Sequence, residues 1–271
     1  MKIYHYTSIE TLALILANKT IRFNRLDKVD DLEESEYGIS DANIKIGQYN
    51  FVSCWTKDDI ENIALWGLYT QYKGVRISLD EDMFVTYPSL GRADIKSYFK
   101  DFELGSDYMT TCVNNEAKLI DVEYVKDLKA INLEIGKYQE DIGTGKSSLN
   151  YSNKYGVYKR EQWSFQKESR FKIHVLPITP NLQEEKEEPF IVLSKAMSSI
   201  GDRMLQRKSI SINHIDIPLK DEVFKEMEIM LGPQTTQADR IIVESLIHMF
   251  QVNSEVKNSV FKNKIRQKGT F

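Results

Sequence analysis

Lys2-Ile3-Tyr4-His5-Tyr6-Thr7, followed at once by Ser8-Ile9-Glu10, is the stretch that decides the fold. Residues 2–6 read as a short strand rich in aromatic side chains. The Thr7-x-x-Glu10 spacing predicts a capped helix start, since each side chain can satisfy an orphan backbone N–H. Leu12, Ile15 and Leu16 recur at helical spacing and define the helix's buried face. Ile21-Arg22-Phe23 then predicts a second strand, with Ile21 and Phe23 on one face and Arg22 on the other.

Working outward, Phe51–Trp55 reads as a buried strand. Asp58-x-x-Glu61 predicts the opening of a helix that carries Ile63, Leu65, Trp66 and Tyr69 and ends at Gly74. Val75–Leu79 alternates apolar and polar residues, as a strand with one wet face does. Strand–helix–strand thus occurs twice, which implies a mixed α+β domain and excludes a helical bundle. Further along, Val122–Val125 predicts a strand, Lys126–Tyr138 a helix and Gly143–Ser148 a turn. That turn lacks the glycine spacing of a phosphate-binding P-loop. Phe171, Ile173 and Val175 alternate as a strand that places His174 on the face opposite Phe171. Residues 182–189 predict an acidic turn, and Phe190–Leu193, His214–Ile217 and Glu228–Leu231 further strands. Ala238–Phe250 reads as a helix with Ile241, Ile242, Leu246 and Ile247 inward. One domain spanning 1–271, with an insertion at about 85–155, is the economical organisation.

Composition narrows the function classes. The 36 Lys and Arg against 40 Asp and Glu give a net charge of −4, which disfavours a globally basic nucleic-acid or membrane binder. Charge is divided along the chain: residues 27–36 hold six acids against one base, whereas Lys257–Lys268 carries five bases. The first segment reads as a solvated loop or helix start. Cys54 and Cys112 lack metal or redox spacing and suit buried thiols of a reducing compartment. No apolar run approaches the ~20 residues of a membrane span. A cytoplasmic protein without a membrane partner is the expectation, and no His/Cys/Asp pattern predicts a metal site.

Several motifs resemble a large bacterial family known as domain of unknown function 2971. They are Tyr4-His5-Tyr6-Thr7, Arg22-Phe23-Asn24-Arg25, Asp30-Asp31-Leu32-Glu33-Glu34, Ser53-Cys54-Trp55 and Leu65-Trp66-Gly67-Leu68-Tyr69. Gly74-Val75-Arg76-Ile77, Trp163-x-Phe165-Gln166-x-Glu168-x-Arg170 and Ile229-Met230-Leu231-Gly232-Pro233 complete the set. The acidic motif departs from the family's Asn-Asp-Pro-x-Glu by losing Asn and Pro. Phe165 and Gln166 stand where the family has Tyr and Glu. The match covers most of the chain outside about 85–155. A second likeness is to ADP-ribosyltransferase-type folds, whose opening strand bears His followed by Thr or Ser. It implies a mixed, largely antiparallel split sheet flanked by helices, with NAD as substrate.

The second resemblance implies roles for particular residues. His5 would donate to a ribose hydroxyl, Tyr6 would stack near nicotinamide, and Glu168 would be the catalytic carboxylate. Cleavage of the nicotinamide–ribose bond develops positive charge on the sugar, which a nearby carboxylate stabilises more in the transition state than in the ground state. Arg22 or Arg25 would clamp the pyrophosphate, and Trp66 or Tyr69 would offer a face to a planar ring. Thr7, Ser53 and Arg170 complete the expected binding set. The acceptor would be water or a macromolecule, protein or nucleic acid, and such enzymes commonly serve as toxins or in antiviral defence. Structural readings stand beside these. His5 can be a half-buried histidine bonded to a carbonyl, Glu168 and Arg170 an ion pair, Trp66 and Tyr69 core, and Arg25 a partner of Asp30 or Asp31. Two other functions also stand: a nucleic-acid binder using the basic tail with Arg22, Arg25 and Arg76, and a non-catalytic interaction module.

Overall fold

The computed structural model describes residues 1–35, 38–39, 43–127, 136–141, 146–151, 154–182 and 188–265. Strand β1 (Lys2–Thr7), helix α1 (Ile9–Asn18) and strand β2 (Thr20–Arg25) open the chain. Then follow β3 (Asn50–Thr56), α2 (Ile63–Thr70), β4 (Val75–Asp80), β5 (Ile120–Asp121) and β6 (Glu168–His174). Helix α3 (Pro189–Leu205), β7 (His214–Pro218), β8 (Glu228–Leu231), α4 (Gln237–Met249) and β9 (Val256–Asn258) finish it. The architecture is α+β, as the two strand–helix–strand units imply.

These nine strands form one sheet in the order β5-β6-β3-β1-β4-β8-β9, with β2 attached to β3 and carrying β7 on its far side. Every pairing is antiparallel except β8 with β9, so the sheet is mixed and largely antiparallel. The sheet forks at β3. One edge of β3 pairs with β6 along its whole length, from Asn50↔His174 to Thr56↔Glu168. The other edge is shared: β2 takes its start (Arg25↔Phe51, Asn24↔Val52) and β1 takes its end (Tyr4↔Thr56). The ladder therefore changes strands across Ser53–Trp55, and β1 and β2 part there.

Local chemistry makes the fork. Ser8, not Thr7, caps α1: its hydroxyl accepts the Thr11 N–H, and Thr7 completes β1. Leu12, Ile15 and Leu16 are buried as their spacing predicts. Lys19 at φ 52° reverses the chain from α1 into β2. At this same end of β1, Gly74 leads into β4, and a Cβ on it would overlap the Thr7 carbonyl oxygen. Helix α2 is capped by Asn62, whose Oδ1 accepts the Ala64 and Leu65 N–H groups. It ends at Gln71 in the left-handed region, before Gly74.

Other expectations change. Strand β4 has no wet face, because Arg76 and Ser78 are buried along with Val75, Ile77 and Leu79. Phe190–Leu193 is the first turn of α3 and not a strand; Pro189 at its start suits a helix N-terminus, where a missing N–H costs nothing. The helix expected over Lys126–Tyr138 ends in a strand, Gly136–Asp141, which pairs with Lys146–Tyr151; residues 128–135 lie outside the described residues. Residues 142–145 of the glycine turn and 183–187 of the acidic turn lie outside them too. In α4 the inward residues are Val243 and Ile247, while Ile241 and Ile242 are about half exposed. Among the described residues of the segment 85–155, only β5 joins the main sheet.

The main core gathers Ile3, Phe23, Phe84, Tyr98, Phe171 and Ile173. Phe23 meets Phe84 at 5.5 Å and Tyr98 at 5.4 Å between ring centroids. Phe84 meets Phe171 edge-on at 4.9 Å. Among the described residues no helix is long and apolar enough to cross a membrane. Phe23→Ala empties the centre of this cluster and is expected to cost about 3–5 kcal/mol, read from the denaturant midpoint in equilibrium unfolding.

Candidate functional site

A cleft of about 380 Å³ occupies the fork. Eight of the ten residues singled out from sequence line it: His5, Tyr6, Thr7, Arg22, Ser53, Tyr69, Glu168 and Arg170. Thr11, Asn18, Thr20, Asn24 and Cys54 add polar groups, beside an apolar wall of Leu14, Ile15, Ile21, Val29 and Val52. A smaller side pocket of about 60 Å³ adjoins it, walled by Tyr4, Trp55 and Leu65 and sharing His5, Tyr6, Cys54, Tyr69 and Glu168 with the cleft.

Arg25 and Trp66 are not in the cleft. The Arg25 guanidinium grips Asp27 through two bonds, at 2.7 and 3.1 Å, and donates to the Ile210 and Ile212 carbonyls. It is a structural tie, and its acidic partner is Asp27, not Asp30 or Asp31. Trp66 packs edge-on to Tyr6 at 4.8 Å and donates from Nε1 to Glu61 at 2.9 Å. Glu61 also accepts from Ser259 and the Val260 N–H, so it pins the C-terminal segment to α2.

The floor of the cleft is a buried ion network built on one face of β6. Glu168, Arg170, Lys172 and His174 alternate with Phe171 and Ile173, so the strand buries charge on one side and core on the other. Arg170, 1 % exposed, donates from Nε (2.8 Å) and Nη2 (2.5 Å) to Glu168 Oε1. Its Nη1 reaches Glu34 Oε2 at 2.5 Å and the Gly156 carbonyl at 2.8 Å. Lys159, 2 % exposed, lies 2.9 Å from Glu34 Oε1 and 3.2 Å from Glu168 Oε2. It also donates to Gln166 Oε1 at 2.8 Å. Burial pushes the Glu168 carboxyl upward, but Arg170 and Lys159 outweigh it and hold the group below the usual carboxylate range.

Within residues 27–35 the solvated-loop reading holds only in part: Lys28, Asp30, Leu32 and Glu33 are exposed, but Asp31 and Glu34 are not. Short helical turns at Leu26–Lys28 and Leu32–Ser35 fold the segment inward, leaving Glu34 fully buried and Asp31 nearly so. Two unpaired cations on β6 and at Lys159 would not be tolerated in this interior, and Glu34 answers them. Sequence reasoning missed Glu34, Lys159 and Gln166 as parts of the site. The departure Gln166 was the available signal: an amide there donates to the Tyr69 hydroxyl at 2.6 Å while accepting from Lys159.

His5 donates from Nδ1 to the Cys54 carbonyl at 2.8 Å, since a carbonyl can only accept. Burial lowers its pKa against the opposing effect of that bond. A neutral ring with Nδ1–H leaves Nε2 as an acceptor, so His5 can receive a hydroxyl proton but not donate one from Nε2. Arg22 forms a bidentate pair with Asp216 at 2.9 and 3.0 Å on the cleft's outer side. Burial raises the Cys54 thiol well above its ordinary value, and Glu168 adds to the shift, so Cys54 is no nucleophile at neutral pH. Among the described residues no cluster of His, Cys, Asp and Glu could hold a metal ion, and both cysteines are free thiols.

In the basic tail, Lys257 pairs with Glu228 at 3.1 Å and Lys262 donates to the Thr235 carbonyl. Arg266 and Lys268 lie outside the described residues. Arg76 is buried over the Tyr4 ring, 4.6 Å from its centroid. No family model matches this chain, and neither a curated protein nor a solved structure is found similar to it.

Glu34→Gln removes one of the carboxylates that answer Arg170 and Lys159. It is expected to cost about 3–5 kcal/mol of stability, measured by urea unfolding. Acid should act on the same face of β6. Burial, with Lys172 nearby, lowers the His174 pKa to about 3. The unfolded chain then binds a proton at His174 between its ordinary value and about 3 that the folded chain refuses. Stability falls as pH drops through that window. His174→Gln should flatten the fall between about pH 6.5 and 4 in pH-dependent thermal melts.

Proposed function

We propose that the cleft binds NAD and that the protein consumes it, by ADP-ribosyl transfer to a macromolecule or by hydrolysis. One observation carries this reading: His5 and Tyr6 of β1 and the sequence-distant Glu168 of β6 converge on a single cleft at the fork of the sheet. On this reading the forked sheet is ADP-ribosyltransferase-like and the chain belongs with the domain of unknown function 2971 family. Its motif residues Tyr6, Asp30, Glu34, Ser53, Tyr69 and Arg170 meet around the same space.

Volume suits a small-molecule ligand, and the uneven placement of charge suits one with a cationic end. About 380 Å³ falls within the ordinary range of ligand clefts, roughly 300–1,000 Å³. Four lining carboxylates (Asp30, Glu34, Glu168, Asp216) face three lining cations (Arg22, Lys159, Arg170), so the described lining carries a net charge of 3 − 4 = −1. The excess lies at the floor, where Asp30, Glu34 and Glu168 outnumber Lys159 and Arg170. A cationic nicotinamide ring suits that end. The hydroxyls and amides of Thr7, Thr11, Asn18, Thr20 and Asn24, with the Arg22 guanidinium, suit the sugars and pyrophosphate.

In the reaction, the bond between ribose C1′ and the ring nitrogen breaks and nicotinamide leaves neutral with the electron pair. Positive charge appears on the sugar above a floor already fixed as anionic, which costs no reorganisation. His5 Nε2 accepts from a ribose hydroxyl and orients the sugar. A water or macromolecular nucleophile then attacks C1′ and gives up its proton to solvent. The toxin or antiviral role remains attached to this reading. Purified protein incubated with NAD, with and without cell extract, should release nicotinamide, and Glu168→Gln should slow release about tenfold or more. Absence of release under every condition, with the variant indistinguishable from wild type, would end this reading.

A further inference from the structure

Resting on the reading above, we infer that Asp30, not Glu168, is the carboxylate that meets the positive charge of the substrate. The structure separates the four carboxylates of the cleft by what already holds them. Glu34 is fully buried between Lys159 and Arg170. Glu168, 6 % exposed, has Oε1 held twice by Arg170 and Oε2 held by Lys159. Asp216 is committed to Arg22 through both oxygens. In each of these three the charge is already answered by a cation.

Asp30 differs. Its side chain is 40 % exposed and lines the cleft. Oδ2 accepts one bond from the Tyr69 hydroxyl at 2.8 Å, and Oδ1 accepts one from the Asp31 N–H at 3.1 Å. The neighbouring ammonium of Lys159 stops 4.0 Å from Oδ1, beyond hydrogen-bond reach. Both partners are neutral, and each carboxylate oxygen keeps acceptor capacity. Asp30 therefore presents a carboxylate that neutral donors orient, and the one cation near it, Lys159 at 4.0 Å, lies closer to Glu34 and Glu168 at 2.9 and 3.2 Å. The orientation is relayed from the floor: Lys159 donates to Gln166, Gln166 donates to Tyr69, and Tyr69 donates to Asp30. Lys159, Gln166 and Tyr69 are positioning residues that aim this carboxylate, and Glu34 and Glu168 hold Lys159 in place.

The test compares equilibrium binding of NAD, whose ring is cationic, with that of NADH, whose ring is neutral, together with binding of the N-methylnicotinamide cation and nicotinamide release. Wild type should favour NAD over NADH. Asp30→Asn, isosteric and partly exposed, should bring the two affinities together by weakening NAD about tenfold and should slow release about 10²–10³-fold. Asp30→Glu should restore part of the preference. Tyr69→Phe should lower kcat several-fold without changing NADH affinity, which a loss of packing alone would not do. An Asp30→Asn protein that keeps the wild-type preference and rate overturns the inference. If wild type binds neither dinucleotide but binds N-methylnicotinamide through Asp30, NAD consumption fails while the role of Asp30 stands. If wild type binds no organic cation, both fail.

Discussion

The grip of Arg170 on Glu168 and Glu34 is the constraint on which the rest of the structure depends. A guanidinium 1 % exposed would be intolerable without its partners, and it lies in the middle of a strand paired on both sides. Satisfying it fixes three things at once. It draws the acidic turn Leu32–Ser35 down onto the sheet through Glu34. It holds the turn at Gly156 through that residue's carbonyl, and it sets Glu168 at the end of β3 where the sheet divides. Lys159 closes the network from the other side. Two cations and two carboxylates thus convert an otherwise repulsive loop into the wall of a cleft.

The division of the sheet has an equally local origin. On its open edge strand β3 is followed through by neither partner: β2 serves its start and β1 its end. Helix α1 joins those two strands through a left-handed turn at Lys19 and flanks the space between them. Motif residues from six segments reach one place because the fork gathers them, not because they are near in sequence.

Much of this was legible in the chain. The strands β1, β2, β3, β6, β7 and β8 and the inward face of α1 follow from spacing alone, as does the placement of His174 opposite Phe171. The failures share a cause: periodicity reports polarity, not what polarity meets. Arg76 and Ser78 read as a wet face because no sequence pattern shows the aromatic ring above Arg76. Ile241 and Ile242 read as core although the helix turns Val243 and Ile247 inward. Phe190–Leu193 is apolar and β-branched in part, but Pro189 and the long run to Leu205 make it a helix start. The acidic segment looked solvated because its cations, Lys159 and Arg170, lie more than a hundred residues away. The cleft residues fared better, since the motifs named most of them; the tie of Arg25 to Asp27 and the relay through Gln166 depend on contacts that no motif encodes.

The exchange of partners along β3 has a consequence for how the cleft recognises anything. Val52 and Thr56 are paired on the edge facing β2 and β1, so Cys54, midway between them, turns its main-chain groups the same way. Its carbonyl is taken by His5, and the same alternation aims its N–H into the fork. A ligand seated there would be met by peptide groups as well as side chains. Recognition of that kind is blind to residue identity. Alanine scanning would leave it untouched, whereas replacing the Cys54 amide by an ester would remove it while preserving every side chain.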